Sequence, residues 1–172
     1  PTRWAGGEAS TVPAPLLAAP PLILLKPGTT GTLRLLRTES DILPVDRETL
    51  FELSIASVPS GKVENQSVKV AMRSVFKLFW RPEGLPGDPL EAYQQLRWTR
   101  NSQGVQLTNP TPYYINLIQV SVNGKALSNV GVVPPKSQRQ TSWCQAIAPC
   151  HVAWRAINDY GGLSAKKEQN LP

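Results

Sequence analysis

The chain has 172 residues, 41% of them hydrophobic, and a formal net charge of +6. This length allows one large domain or two β-sandwich domains of about 100 residues each. The basic residues are scattered singly instead of forming dense runs, and this pattern argues against a nucleic-acid partner. The sequence contains no apolar run of about 18 residues, so we predict no membrane-spanning helix.

The chain contains 17 prolines and 12 glycines, with short runs rich in Val, Ile, Leu, Tyr and Trp between them. Such frequent punctuation disfavours long helices and favours many strands joined by turns. We therefore predict an all-β protein.

The first half of the chain contains three predicted strands before its longest one. Residues 1–21 lack a helical or strand period, and we expect a loop there. Residues 22–38 are predicted to form two strands around a Lys-Pro-Gly turn. Residues 48–55 alternate in the manner of a strand, and the polar residues 57–67 are expected to form a hairpin loop.

The longest predicted strand covers residues 68–82 and stops at Pro82, because proline cannot donate to a strand ladder. Its apolar residues Val68, Val70, Met72 and Phe76 recur at the period of two expected of a pleated strand. Lys77 lies in the most apolar part of the segment, where a charge must be solvated, paired or reserved for a ligand. An ordinary sandwich strand with a surface lysine is the alternative interpretation.

The second half begins after a segment rich in Gly and Pro, residues 83–95. We place the domain boundary there, with domains at residues 1–84 and 85–172. Beyond it, turn signals recur about every 8 to 14 residues, which is typical of a strand-rich sandwich.

The two cysteines, Cys144 and Cys150, flank a short segment that contains a proline. This spacing fits a small disulfide-closed loop in an oxidising compartment. Two reduced, buried thiols are the alternative.

The sequence offers little catalytic chemistry. It contains no nucleophile elbow, no zinc-protease motif and no phosphate-binding glycine loop, and it has a single histidine, His151. Two cysteines and one histidine cannot supply four zinc ligands. We predict no enzymatic activity, no metal and no cofactor.

Four motifs occur in a fixed order: ETLFELSIASVP at 48–59, KLFWRP at 77–82, NPTPYY at 109–114 and INDYGG at 157–162. Together they resemble the periplasmic chaperones of the chaperone-usher pilus pathway, along almost the whole chain. The resemblance implies two immunoglobulin-like β-sandwich domains in a boomerang arrangement. It also implies a periplasmic protein that binds pilus subunits and delivers them to an outer-membrane usher.

The resemblance also assigns roles to individual residues. Lys77 would anchor the terminal carboxylate of a pilus subunit, and the apolar side chains of the strand before it would complement a subunit that lacks a strand. Glu48, Arg81 and Asp159 would form an ion network between the domains, although three solvated surface charges are the alternative. The donor-strand residues implied in this way are Val68, Val70, Met72 and Phe76.

The family pattern has a second basic anchor residue, an arginine, in the first strand of the first domain. No arginine of this chain matches it, and motif positions suggest that about three strands are missing in front of Pro1. We therefore expect a first domain without its N-terminal strands. A secreted immunoglobulin-like adhesion or binding module without chaperone activity is the alternative function.

Overall fold

A computed structural model describes residues 2–3, 14–38, 42–60, 69–145 and 149–172. It separates the chain into two compact units. The first comprises Pro1–Leu43 and Thr49–Trp80, and the second comprises Pro44–Glu48 and Arg81–Pro172. Apart from one 3₁₀ turn, Ala92–Gln95, every regular element in the described residues is a strand, which confirms the predicted all-β class.

The described residues of the first unit contain five strands in two small sheets. Strands β1, β4 and β5 form one antiparallel sheet in that order, and β2 pairs with β3 in a separate hairpin. The strands are β1 (Thr2–Arg3), β2 (Leu16–Ala19), β3 (Arg34–Arg37), β4 (Thr49–Ser57) and β5 (Met72–Trp80).

The structure corrects two predictions in this unit. The segment at 1–21, expected to be a loop, contains β2, which ends at Ala19 because the next two residues are prolines and lack the N–H that a ladder requires. The strand expected directly after them does not form, and Leu22 and Leu24 are exposed. The predicted Lys-Pro-Gly turn is present, closed by a hydrogen bond from Thr29 N to Lys26 O of 3.1 Å.

The described residues of the second unit form a sandwich of two sheets. One sheet has the order β10-β8-β12-β13, with β9 also paired to β8, and the other has the order β11-β7-β6. The strands are β6 (Arg97–Asn101), β7 (Gly104–Asn109), β8 (Ile115–Val122), β9 (Lys125–Leu127), β10 (Val132–Val133), β11 (Ser137–Thr141), β12 (Cys150–Ile157) and β13 (Lys167–Leu171).

A buried hydrophobic cluster lies in this second unit. Trp98 is its centre, with its ring 5.3 Å from that of Trp154 and 5.9 Å from that of Trp143. Alternation along the strands explains the core, because Val105 and Leu107 of β7 point inward while Gln106 between them lies at the outer face.

Candidate functional site

Strand β5 lies at the edge of its sheet. Among the described residues it pairs only with β4, over the whole length from Met72–Ser57 to Trp80–Thr49. An edge strand presents a row of backbone N–H and C=O groups to any chain that approaches it. Among the described residues, β5, the longest strand predicted from the sequence, is therefore open to pairing along one side.

The side chains of β5 that were singled out from the sequence are exposed. Met72 is 67% exposed and Phe76 is 52% exposed, and both lie on the same face because they are an even number of residues apart. Val70 is also exposed but precedes β5, which begins at Met72. Val68 lies outside the described residues. The opposite face carries an exposed apolar side chain that sequence reasoning missed, Val75.

Lys77 lies on the same face of β5 as Val75, and its side chain is exposed. Its register partner on β4 is Glu52. Within the described part of the chain, however, the Lys77 ammonium makes no hydrogen bond and no ion pair. Its charge is therefore available to a partner molecule.

The sequence also singled out three charged residues, and the structure brings them together in the second unit. Arg81 donates from Nε to Glu48 Oε1 at 2.6 Å, and from Nη1 and Nη2 to the two carboxylate oxygens of Asp159 at 2.6 and 3.1 Å. The Arg81 guanidinium also lies 5.4 Å from the centre of the Tyr113 ring. One planar cation thus bonds two carboxylates, a geometry that the arginine fork favours.

The environments of these two carboxylates differ. The Glu48 side chain is only 2% exposed, and burial raises its pKa even though the backbone N–H of Tyr114 donates to its Oε2 at 2.6 Å. Asp159 is 45% exposed. Hydrogen bonding to Asp159, with a further bond to Glu48, raises the pKa of Arg81. The Glu48–Arg81 pair is the part of the network that is shielded from solvent.

Comparison with known proteins decides the family. Residues 3–86 match the family described as "Pili and flagellar-assembly chaperone, PapD N-terminal domain", and residues 91–168 match "Pili assembly chaperone PapD, C-terminal domain". The probable fimbrial chaperone LpfB of Escherichia coli O157:H7 is 31% identical over 172 residues, which cover 98% of this chain and 74% of LpfB. The chain belongs to the pili assembly chaperone family.

Two further relatives show how far this similarity extends. The probable fimbrial chaperone protein ElfD of Escherichia coli K12 is 39% identical over 150 residues, and the match covers 86% of this chain but only 64% of ElfD. The Salmonella enterica SafB chaperone, solved in complex with the SafA pilin, has a TM-score of 0.79 and 32% identity, covering 92% of this chain and 76% of SafB. These matches confirm the two-domain, immunoglobulin-like fold of pilus chaperones.

The segment before Glu48 adds a charged cluster that sequence reasoning missed. Asp46 accepts hydrogen bonds from Arg47 at 3.0 Å and from Lys136 Nζ at 2.7 Å, and these bonds hold the pKa of the Asp46 carboxyl below its usual range. Nothing in the sequence brings Asp46 near Lys136, since they belong to distant segments. These hydrogen bonds connect residues 44–48 to the turn before β11.

The motif at 109–114 owes its shape to a buried asparagine. The amide of Asn109 donates to the carbonyl oxygens of Tyr113 and Pro134 at 2.8 and 2.9 Å, and its Oδ1 accepts from Thr111 N at 3.0 Å. Asn109 is fully buried, so each of these bonds replaces one to water. This network positions the Tyr114 N–H that binds Glu48.

The predicted disulfide is confirmed: Cys144 and Cys150 are bonded. Both are buried, and Cys150 begins β12. In the described ranges no helix is long and apolar enough to cross a membrane. Likewise, the part of the chain that the structure describes places no three His, Cys, Asp or Glu residues together as metal ligands.

Proposed function

We propose that this chain acts as a periplasmic chaperone that binds pilus subunits through β5 and passes them to an outer-membrane usher. The observation that carries the proposal is an edge strand, β5, whose apolar side chains Met72 and Phe76 are exposed. The role is binding, and no catalytic step is assigned to it.

Strand addition explains why an edge strand suits this task. A subunit that lacks one strand has both unpaired backbone groups and an open apolar groove. The free edge of β5 supplies the backbone hydrogen bonds, and alternate side chains on one face supply the apolar surface. Met72 and Phe76 stand on one face with Ser74 between them, so the position of Ser74 contributes a shallow contact.

Lys77 gives the paired strands a defined register. A carboxylate at the end of a subunit would form a charge-assisted hydrogen bond to the Lys77 ammonium, which has no other partner among the described residues. The bond strengthens as the subunit covers the site and excludes water. We therefore assign Lys77 as the anchor and β5 as the donated strand.

The partner class and the compartment have separate support. SafB, which resembles this chain, was solved with a pilin, and ElfD and LpfB are named as fimbrial chaperones. The Cys144–Cys150 disulfide fits an oxidising compartment such as the periplasm. This chain spans 64% of the length of ElfD, so the activity of the whole protein is part of the proposal.

Co-expression with the cognate fimbrial subunit tests the proposal, with recovered complex and chaperone yield measured separately. We expect Lys77→Ala to lose most of the complex, because breaking a charge pair at a covered site costs about 2 to 5 kcal/mol. Lys26→Ala, an exposed lysine of the same unit, is the matched control. Equal recovery of complex from the two variants would contradict the anchoring role.

A second variant tests the strand itself. Met72→Glu would place a charge in the apolar groove of the subunit and should abolish capture. Ser102→Glu adds the same charge at an exposed turn of the second unit and should leave capture unchanged. Normal capture by Met72→Glu would show that β5 is not the donated strand.

A further inference from the structure

The sheet of the second unit has a gap in its ladder beside β8. Strand β9 pairs with β8 as far as Leu127 opposite Val120, and pairing resumes where Leu117 N donates to Gly131 O at 3.1 Å. Between these points the chain bows away from β8, with Asn129 and Gly131 in the left-handed backbone region at φ of 58° and 74°. Gln119 on β8 is also left-handed, at φ of 52°.

The gap leaves a groove of about 420 Å³. Its apolar lining comes from both sides, and its rim is polar but uncharged. This volume falls within the range of about 300 to 1,000 Å³ that is usual for ligand sites. The apolar lining residues are Leu117, Ile118, Val120, Leu127 and Val130, and the polar ones are Gln119, Ser128 and Asn129.

Two arginines lie next to residues that line this groove, and neither has a carboxylate partner among the described residues. Arg139 donates to the carbonyl oxygens of Val130 and Val132 at 2.6 and 2.5 Å, so its guanidinium lies directly against the groove wall. Arg155 is half-buried and stands opposite Ile118 in the β12–β8 register. In the described residues its guanidinium makes no hydrogen bond and no ion pair.

The surrounding sequence gives these charges no compensation. No Asp or Glu occurs between Glu91 and Asp159, a stretch with six Lys or Arg residues. On the strand next to β12, the Glu168 carboxylate is already 3.1 Å from the Lys166 ammonium. A partly buried guanidinium without a counter-ion is costly, and a carboxylate from another molecule would relieve that cost.

We propose that this groove is a docking site for an acidic peptide segment of a partner protein. An apolar side chain of the segment fills the gap beside β8, and a neighbouring carboxylate of the segment forms an ion pair with Arg155. The positive charge of Arg139 adds to this attraction. The two arginines favour an acidic segment over a basic one because the charges are complementary. The apolar lining favours a segment that also carries apolar side chains over a purely acidic one. The site is separate from β5 and does not depend on the function proposed for that strand.

Fluorescence anisotropy tests the proposal with a short labelled peptide that has a central Leu-Phe pair flanked by aspartates. The comparison peptide carries asparagines in place of the aspartates. We expect the aspartate peptide to bind at least about tenfold more tightly, and the difference to shrink as salt screens the charges.

Matched variants locate the binding. Arg155→Gln should weaken it at least about tenfold, whereas Arg97→Gln, the same charge change on β6, should not. Ser128→Trp should block the groove, and Ser102→Trp, at an exposed turn, should not. Met72→Glu on β5 should leave this binding unchanged.

If Arg155→Gln and Arg97→Gln weakened peptide binding equally, the binding would be due to general charge attraction, and the proposal would be overturned. Equal affinity for the two peptides, absence of binding to both, or full binding by Ser128→Trp would overturn it as well. Loss of binding through Met72→Glu would place the peptide on β5 and would likewise reject this groove.

Discussion

Replacement of Arg81 by Met should destabilise the second unit by about 3 kcal/mol. Glu48 is almost fully buried, and among the described residues its carboxylate would keep only the Tyr114 N–H as a partner, with no cation to balance its charge. Breaking a buried pair costs about 3 to 5 kcal/mol, and the lower end applies because Arg81 itself is 35% exposed. The bond from Arg81 to Asp159, which is 45% exposed, should contribute at most about 1 kcal/mol.

A double-mutant cycle separates the buried pair from its surroundings. Glu48→Gln retains an oxygen for the Tyr114 N–H, and we expect it to cost about 1 to 2 kcal/mol alone. Combined with Arg81→Met it leaves no unpaired buried charge, so the double variant should be more stable than the sum of the single losses predicts, by about 2 kcal/mol. Urea unfolding followed by the fluorescence of Trp98, Trp143 and Trp154 measures all four proteins.

The pH dependence of the same variant gives an independent readout. Burial already raises the pKa of Glu48 above its ordinary value of 4.5, and removal of Arg81 should raise it further. A carboxyl whose folded pKa exceeds its unfolded pKa favours folding more as the pH falls through the folded value. The loss of unfolding free energy in Arg81→Met, relative to the unmodified chain, should therefore become smaller from pH 7 toward pH 4.5. This reasoning would be refuted if the stability losses of the two single variants were additive and the loss in Arg81→Met did not depend on pH.

Three further changes test other parts of the second unit. Asn109→Ala should lower the unfolding free energy by about 3 kcal/mol, because several buried backbone groups lose their partner; a loss below about 1 kcal/mol in urea unfolding would contradict this. Replacing Cys144 and Cys150 together by Ala should lower the unfolding free energy by about 2 kcal/mol, the loop-closure value for so short a loop. An unchanged unfolding free energy in the same measurement would contradict this. Hydrogen bonds from Arg47 and Lys136 lower the pKa of Asp46, so its stabilising effect is fully present above the unfolded pKa of about 3.9 and is lost gradually as the pH falls toward the lower folded pKa. Asp46→Asn should therefore lower the thermal midpoint by more at pH 7 than at pH 2, and equal shifts at both values would contradict this.

The all-β class could be predicted because alternation and turn residues are local signals. The period of two on β5 and the Pro82 stop lie within one segment, and the four ordered motifs identified the family. The Cys144–Cys150 bond could also be inferred, since the two residues are close in sequence. Local chemistry was sufficient for these features.

The remaining features depend on long-range pairing, which single-segment patterns do not contain. The leucines after Pro21 have the composition of a strand and predict one there, whereas β3 pairs with the earlier Leu16–Ala19 segment. The Asp46–Lys136 bond joins distant segments. Arg139 contacts carbonyl groups, which carry no residue-type signal at all. The roles of Lys77, of the donated strand and of the Glu48–Arg81–Asp159 network between domains stay predictions.

Hydrogen exchange of the chaperone, alone and with its cognate fimbrial subunit bound, tests the central proposal most directly. Strand β5 pairs on one side only among the described residues, so its outward-facing amides should exchange fast in the free protein. Subunit binding should slow exchange across Met72–Trp80 and leave Lys125–Leu127 of the second unit unchanged. A stable complex in which exchange across Met72–Trp80 is unaltered would contradict the proposal that β5 is the strand given to the subunit.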